Sequence, residues 1–572
     1  MKRGIVILSA FKIARKYWFS EEKWSAWGLL LAVIALNLGL VYLTVLINYW
    51  QGSFYGLIQD YNQAAFLEAL GKFGLLSLLF VIGRGYQTYT RMQLHIRWRR
   101  WLTGNFLRNW MSCQTYYRIQ LFASHAADNP DQRISEDVDL FVSYTLRLSI
   151  DLLQDLASMC SFIFILWELS GVVFLSLGPV QIPVYGYLVW VALAYAGFGT
   201  YVTVRLGWPL IQLEYNQQKY EADFRFALIR IRENAESIAL YCGEKQERRA
   251  LSGWFNHIVA NYLRIIQVRK QLTLLTAAYT RSSVVFALFA ASPRYFSRQI
   301  HLGQMFQIVD AYQHVQNGLS FIIDSFTWVA RWRAVVNRLN SFLVCMEMVR
   351  AEAKNTKLAV TSHQRAVFEA ERLSVLRPDG YKLIHELAFS AGRGERLLVA
   401  GPSGCGKSTL LRALAGIWPY TEGTIRLPDR DTVMYVPQKS YMPIDQLRHV
   451  LHYPQAAGDR NETKLLALLD ACRLGHLGGK LGLIADWGQT LSLGEQQRIA
   501  FIRVLLTEPG WLFLDEATSA LDEPTEQAMY ELVARFLPRT AVVSVGHRRT
   551  LQQFHSRRLE LDGRGGWKLA KG

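Results

Sequence analysis

From Trp27 to Trp50 the chain carries no charged residue, and a run of that length exceeds the roughly 20 residues a helix needs to cross a hydrocarbon core. A spanning helix is therefore predicted there. Further apolar runs centre on Phe73 to Gly83, on Leu152 to Trp167 and on Val184 to Val204, the last again without charge. Two interrupted runs follow, Leu272 to Ala291 across Arg281 and Phe306 to Val329 across Asp310, His314 and Asp324. Together these predict six spans in a lipid bilayer.

Loop charge orients them. Between Gln51 and Gly71, and between Glu168 and Pro183, there is no Lys or Arg, whereas Arg91 to Arg147 holds eight and Arg205 to Lys270 holds eleven. The positive-inside rule puts the short neutral loops outside, and the basic segments and both chain ends in the cytoplasm. The length of the basic segments predicts helices that run on well past the bilayer. The formal charge of +17 thus reads as membrane orientation, and no nucleic-acid partner is expected. A cleaved signal peptide is not expected either, because Lys2, Arg3, Lys12, Arg15 and Lys16 precede the first apolar run without a small-residue cleavage site. Cys113, Cys160, Cys242, Cys345, Cys405 and Cys472 are scattered singly, which points to reduced thiols and no zinc ribbon.

After Arg333 the pattern turns amphipathic, then polar through Ala351 to Gln364, including Lys354, Asn355 and Thr356. Residues 351–366 read as a linker between a membrane domain over residues 1–350 and an α/β domain over residues 367–572, where short apolar runs alternate with helical periods. No solenoid repeat or low-complexity tract is present.

Within the α/β domain, Leu397 to Ala400 form an apolar strand that runs into Gly401, Pro402, Ser403, Gly404, Cys405, Gly406, Lys407, Ser408 and Thr409, followed by helical Leu410 to Leu414. This is a P-loop in its strand-loop-helix context. The glycines let backbone N–H groups converge on phosphate oxygens, and the helix N-terminus adds its positive end. Lys407 is expected on the β- and γ-phosphates of ATP, and Ser408 on Mg²⁺. Downstream, the strand Trp511 to Leu514 ends in Asp515 and Glu516, a Walker B arrangement. Asp515 then holds Mg²⁺ through water, and Glu516 is the general base for the attacking water.

Further motifs make the domain resemble the ATPase of ABC transporters. Leu491 to Arg498, with Ser492, Leu493, Gly494 and Glu495, looks like the signature motif; Gln438 after Met434 to Pro437 looks like the Q-loop; Ser519 to Asp522 looks like the D-loop, and His547 like the switch histidine. The resemblance implies a RecA-like core with an inserted helical subdomain. It also implies Mg²⁺ contact by Gln438, γ-phosphate sensing by His547 and Gln438, and head-to-tail pairing with a second copy. In that pairing Ser492 and Gly494 of one protomer face ATP on the P-loop of the other, with Asp522 in the D-loop between them. Leu493 stands where many relatives carry glycine, and the flanking Ser492 and Gly494 keep the phosphate contacts. The adenine-stacking aromatic expected upstream of the P-loop is missing at Leu373 to Arg377. Tyr381 can substitute, Arg377 can stack through its guanidinium plane, or Tyr381 is an ordinary strand-edge tyrosine.

The membrane domain is similar to ABC subfamily D, which includes peroxisomal acyl-CoA transporters and bacterial relatives with a BacA/SbmA-like membrane domain. The segments that carry this are Asn129 to Ile134, with Asp131 and Arg133, and Glu221 to Arg225 with Arg232 to Tyr241. They imply coupling loops; on composition alone they are charged helical faces in water. In the last span Gln307, Asp310, His314 and Asn317 share one helical face. They either line a hydrophilic substrate path or satisfy one another at a dimer seam. Arg84, Asp151, Asp155 and Arg281 leave the same choice open.

The expected molecule is multidomain, an all-α six-helix transmembrane domain of the type IV ABC transporter fold plus a P-loop nucleotide-binding domain. It is expected to be an ATP- and Mg²⁺-dependent transporter acting as a homodimer in a bacterial inner membrane. Peptides or other hydrophilic compounds such as cobalamin are the expected substrates, with fatty acyl-CoA or lipid-like molecules as the alternative. A nucleotide-gated channel or sensor is the competing class, and an intact Glu516 argues against it. A soluble ABC ATPase is hard to reconcile with Trp27 to Trp50.

Overall fold

A computed structural model describes residues 3–122, 129–177, 180–354, 358–362, 367–427, 432–455 and 462–571. The chain forms two compact units, Met1–Trp110 with His125–Cys345, and Met111–Ser124 with Met346–Gly572. Of the polar stretch taken as a linker, Asn355 and Thr356 lie outside the described residues, as does the side chain of Asp324.

The first unit is built on long helices. After α1 (Arg3–Trp18) come α2 (Lys23–Gln59), α3 (Gln63–Met111), the short α4 (Thr115–Phe122), which belongs to the second unit, α5 (Pro130–Gln132), and then α6 (Val138–Ser170). They are followed by α7 (Tyr187–Glu233), the short α8 (Ala235–Leu240), α9 (Glu244–Phe296) and α10 (Leu302–Lys354). Five of the helical stretches, beginning at Lys23, Gln63, Pro130, Tyr187 and Glu244, are long and apolar enough to cross a membrane. The sixth expected span falls in α10, a 53-residue helix that carries Gln307, Asp310, His314 and Asn317 and is not among those five by its described residues. The helical extensions expected through the basic segments fall in α3, α7 and α9, of 49, 47 and 53 residues, each about 70 Å or longer at 1.5 Å per residue and so well over a hydrocarbon core in length.

Small residues let these helices approach closely, the usual packing device where lipid removes the hydrophobic drive between helices. Ala192, Ala196, Ala287 and Ala291 are buried between α7, α9 and α10, together with Phe162 of α6 and Tyr312 of α10. A Cβ on Gly303 of α10 would strike the Gly52 carbonyl of α2. Polar groups close the remaining gaps. Asn261 of α9 donates to the Leu213 carbonyl and to Gln217 Oε1 of α7, both at 2.9 Å. Farther along the same two helices the Tyr195 and Tyr279 rings stack at 4.7 Å.

Two elements depart from the sequence reading. α1 is a helix that apolar-run counting did not separate; its Tyr17 is fully buried and stacks on Trp98. The neutral stretch after α6 is a paired hairpin, β1 (Val172–Leu177) with β2 (Val180–Tyr185), antiparallel from Val172 opposite Tyr185. Its β-branched residues explain the strands.

The second unit carries β3 (Leu358–Ser362), β4 (Val367–Leu376), β5 (Lys382–Gly392), β6 (Arg396–Ala400), β7 (Thr421–Leu427) and β8 (Val433–Val436). Further on are β9 (Ile444–Gln446), β10 (Ile484–Asp486), β11 (Trp511–Asp515), β12 (Ala541–Val545), β13 (Arg557–Leu561) and β14 (Trp567–Lys571). The helices are α11 (Lys407–Leu414), α12 (Leu447–His452), α13 (Glu462–Ala471), α14 (Trp487–Thr490), α15 (Leu493–Thr507) and α16 (Glu523–Phe536). The main sheet has the order β14-β13-β6-β12-β11-β8, parallel except for β14. Its central strands are buried on both faces, as crossover helices require: β12 is apolar but for Ser544, and all five of its residues are buried. A second sheet, β3-β7-β4-β5, covers one face, and Phe368, Leu387 and Val399 lie in the shared core. The α12–α15 segment packs its own apolar layer of Leu447, Leu469, Trp487 and Ile499.

Candidate functional site

β6 and β11 are adjacent to the same strand, β12, so the loops at their carboxyl ends meet there, the usual place for a ligand on a parallel sheet. After β6 the backbone turns through Gly401, Gly404 and Gly406, all with positive φ, and enters α11 at Lys407. Only glycine accommodates Gly401, whose Cβ would meet the Leu561 carbonyl at 2.5 Å. Lys407 Nζ donates to the Gly401 and Pro402 carbonyls at 3.0 and 2.9 Å, folded over the loop it serves.

Ser408 Oγ donates to Asp515 Oδ1 at 2.8 Å, which joins the P-loop to the Walker B strand. Burial pushes the Asp515 carboxyl up, with the Ser408 hydrogen bond pulling the other way and the neighbouring Glu516 charge adding to the rise. Glu516 follows with φ 47°, a left-handed conformation that a non-glycine residue rarely adopts. Its carboxylate accepts from Gln438 Nε2 at 3.0 Å and lies 3.5 Å from His547 Nε2. The three residues assigned to catalysis from sequence therefore meet around one carboxylate.

Ser492 caps α15 in a capping box: its hydroxyl accepts from the Glu495 backbone N–H, and Glu495 Oε2 accepts from the Ser492 N–H and Oγ–H at 2.9 and 2.8 Å. Leu493 is 46 % exposed on this surface. Gly494 lies against the D-loop of its own chain, where an added Cβ would be 3.2 Å from the Ala520 carbonyl. Asp522 is the N-cap residue of α16.

Tyr381 is 53 % exposed in the turn joining β4 to β5, with its carbonyl accepting from the Arg377 N–H. Leu383, two residues on, is what a Cβ added at Gly406 would meet, at 3.4 Å, so this turn borders the P-loop. Arg377 pairs with Asp379 at 3.5 Å.

Three residues of this network have no role assigned from the sequence. Gln497, buried on α15, donates to the Gln438 carbonyl at 3.3 Å and Ser519 Oγ at 3.1 Å and accepts from the Ala520 N–H at 3.0 Å. It ties the Q-loop to the D-loop. Arg548, next to His547, donates to the Leu521 and Ser519 carbonyls. His476 contacts Glu495 Oε1 at 3.0 Å, behind the capping box. Only the place of Gln497 inside the signature, and of Arg548 beside the switch histidine, could have singled them out.

Within the first unit the four α10 residues meet different neighbours, although His314 Nε2 also lies 3.9 Å from Asp310 Oδ2. The Gln307 carbonyl and Asp310 Oδ2 both accept from Asn48 Nδ2 of α2, at 3.2 and 2.7 Å. His314, stacked on Phe162 at 4.0 Å, and Asn317 line a cavity of about 220 Å³. Of the residues read as coupling loops, Asp131 lies in α5, and Arg133 makes a 2.9 Å ion pair with buried Asp137. Arg338 of α10 pairs with the same carboxylate. Glu221 accepts from Gln217, and Arg225 is exposed on α7. The loop segment that belongs to the second unit is α4, where Leu121 packs on the sheet core and Arg118 reaches the Gly416 carbonyl at 3.5 Å.

A strand-loop-helix phosphate cradle, a Walker B pair and long apolar helices define a membrane protein driven by an ATPase. Two family profiles match the chain, "ABC transporter transmembrane region 2" over residues 14–296 and "ABC transporter" over residues 384–519. An uncharacterized ABC transporter ATP-binding protein of Haemophilus influenzae is 36% identical over 94% of this chain and 89% of its own length. The inner membrane ABC transporter ATP-binding protein YddA of Escherichia coli is 32% identical, covering 94% of each chain. ABC transporter D family member 2, chloroplastic, of Arabidopsis thaliana is 31% identical over 96% of this chain and 85% of its own. The chain belongs to the ABC transporter family, as a half-transporter with one membrane region and one ATPase domain. Its fold is that of a bacterial Atm1-family ABC exporter solved with ATP bound, at a TM-score of 0.71 with 17% identity and 94% of each chain covered.

Proposed function

We propose that two copies of this chain form a transporter of the bacterial inner membrane that moves a hydrophilic substrate, a peptide or a compound such as cobalamin, by alternating access. The observation that carries the ATPase part is the meeting of Gln438 and His547 on Glu516 beside the Ser408–Asp515 contact. Each is a residue an ATP-hydrolysing site needs: Gln438 is hydrogen-bonded to Glu516, His547 lies 3.5 Å from it, and Ser408 is hydrogen-bonded to Asp515.

In this reading Lys407 and the P-loop N–H groups hold the phosphates, and Glu516 takes a proton from the attacking water. Gln438 and His547 orient that carboxylate and sense the γ-phosphate. The residues fit Mg²⁺: a hydroxyl, a carboxylate and an amide oxygen at Ser408, Asp515 and Gln438 are hard oxygen donors, and a Mg²⁺ ion bound beside nucleotide takes few protein ligands. The ion would neutralise charge on the phosphates.

Pairing is supported by apolar surface that the bilayer does not cover. Leu240 is 77 % exposed and Tyr241 86 % exposed at the cytoplasmic turn after α8, and Leu493 is open on the signature face. With Ser492 and Gly494 beside it, that face completes the ATP site of the second copy. Bacterial relatives that include an inner-membrane protein support the location. Tyr381, beside the P-loop, is assigned to the adenine ring.

Purified protein in liposomes tests the reading. ATP turnover stimulated by a peptide or by cobalamin is expected, together with ATP-dependent accumulation of the stimulating compound. Glu516→Gln should retain nucleotide and lose turnover by about 10²- to 10⁴-fold, the range for removal of a general base. Stimulation by acyl-CoA alone would replace the substrate class, and turnover independent of Glu516 would sink the assignment.

A further inference from the structure

The cavity beside His314 and Asn317 lies between α2, α3, α6 and α10 and is walled on its apolar side by Leu40 and Phe80 and on its polar side by Arg84 and Asp155. Its depth follows from α2. Leu40, Val41 and Thr44 line it and fall in the middle of the charge-free run Trp27 to Trp50, about 20 Å from the start of that run at 1.5 Å per residue. A charged side chain at that level is costly, and such groups belong to pairs or to pathways.

The basic groups of α3 discriminate between those two cases. Arg84, Arg91 and His95 fall on one face, at spacings of seven and four residues. Arg91 pairs with Asp151 of α6 at 2.8 Å, and His95 with Asp139 of α6 at 3.2 Å. One helical turn beyond Asp151, Asp155 stands on the wall of the same cavity as Arg84, yet among the described residues no ion pair closes Arg84. Its contact is a 3.0 Å hydrogen bond to Gln87 Oε1, and Gln87 in turn donates to Asn37 of α2 at 3.0 Å. That chain fixes the guanidinium stem with a neutral acceptor. A guanidinium has five N–H donors, so capacity remains at the cavity.

Resting on the transporter reading above, we propose that Arg84 is the anion anchor of a substrate site in this cavity, recognising a carboxylate or phosphate group of the transported molecule. At about 220 Å³ the cavity is smaller than the 300–1,000 Å³ of sites that enclose a drug-sized ligand. It therefore takes a head group, while the rest of the substrate lies outside it. Gln154 and Asn317, also on the lining, suit amide partners. The guanidinium fork matches a carboxylate bidentately, which a lysine does not.

The test is equilibrium binding to the full-length protein in nanodiscs, with three probes: N-acetyl-tetraalanine with a free carboxylate, the same peptide as its C-terminal amide, and palmitoyl-CoA as the phosphate-bearing arm. At least one acid is expected to bind ten- to hundredfold tighter than the amide, the span for a hydrogen bond to a charged group. Arg84→Gln should erase that gap and Arg84→Lys should keep part of it, which separates recognition from misfolding. Failure of both acids to bind tighter than the amide, or a gap that survives Arg84→Gln, would overturn the proposal. ATP-driven uptake of the amide, lost in Glu516→Gln, would leave the transporter reading standing and remove the anion anchor alone.

Discussion

The two units use polar pairing for opposite ends. In the ATPase unit, Ser408 is bonded to Asp515, Gln438 to Glu516 and Gln497 to both the Q-loop and the D-loop, at sites a nucleotide must reach. That is preorganisation, since donors already in place cost no rearrangement when charge develops. In the membrane unit, Asn48–Asp310 pairs within the expected spans, where lipid offers no alternative partner, and Arg91–Asp151 and His95–Asp139 tie α3 to α6 at the start of the basic segment. An unclosed charge therefore means little on an ATPase surface and much between membrane helices. Arg84 stands out only against the second background.

The largest effect that would break this contrast is at Asp137, whose side chain is 2% exposed and holds both Arg133 and Arg338. Asp137→Ala leaves Arg133 buried without its counter-charge and is expected to destabilise the membrane unit by about 3–5 kcal/mol, read as a lowered midpoint in detergent melting. A midpoint shift as small as that of an exposed pair would mean that pairing there is incidental.

Gln497→Leu tests preorganisation directly. It strands the Ala520 N–H and removes two donor contacts, a cost of about 1–3 kcal/mol per unsatisfied group. ATP turnover should drop roughly tenfold for each 1.4 kcal/mol carried into the transition state, while nucleotide affinity changes little. Loss of affinity with unchanged turnover would place Gln497 in folding rather than in catalysis.

Ser492→Ala sharpens the same point at smaller scale. The lost N-cap costs about 1 kcal/mol of α15 stability, measured by denaturant titration of the ATPase unit, but turnover should fall by far more than that predicts. Proportional losses would make Ser492 a cap and nothing else.

Thiol labelling gives the smallest test. Burial pushes the Cys472 thiol up to about 12, so it should resist maleimide at neutral pH, whereas Cys113 and Cys242 are exposed and should react. Labelling of Cys472 at a comparable rate would show that the helical segment around it opens.

The parts of the molecule legible in the sequence are those fixed by backbone demands or by solvent. The absence of charge from Trp27 to Trp50 is a solvent constraint, and the glycines at 401, 404 and 406 meet a backbone one through positive φ. Both appear as residue types at fixed spacing. Gln497, Arg548 and the hairpin at Val172–Tyr185 were not legible, because their partners are distant in sequence or because a short β-branched run between spans looks like any loop. The α10 face shows the intermediate case: periodicity put Gln307, Asp310, His314 and Asn317 on one side, but only the neighbouring helices divide them between Asn48 and the cavity.

The central claim is an ATP site shared between two copies, and mixed dimers test it. Lys407→Ala and Ser492→Arg should each abolish turnover as homodimers. Coexpressed and purified as a tagged heterodimer, they leave one site with an intact P-loop from one chain and an intact signature from the other, so turnover should return to a substantial fraction of the wild-type value. If each site were built from a single chain, every site in that heterodimer would carry a lesion, and turnover that stays at the level of the dead homodimers would contradict the account.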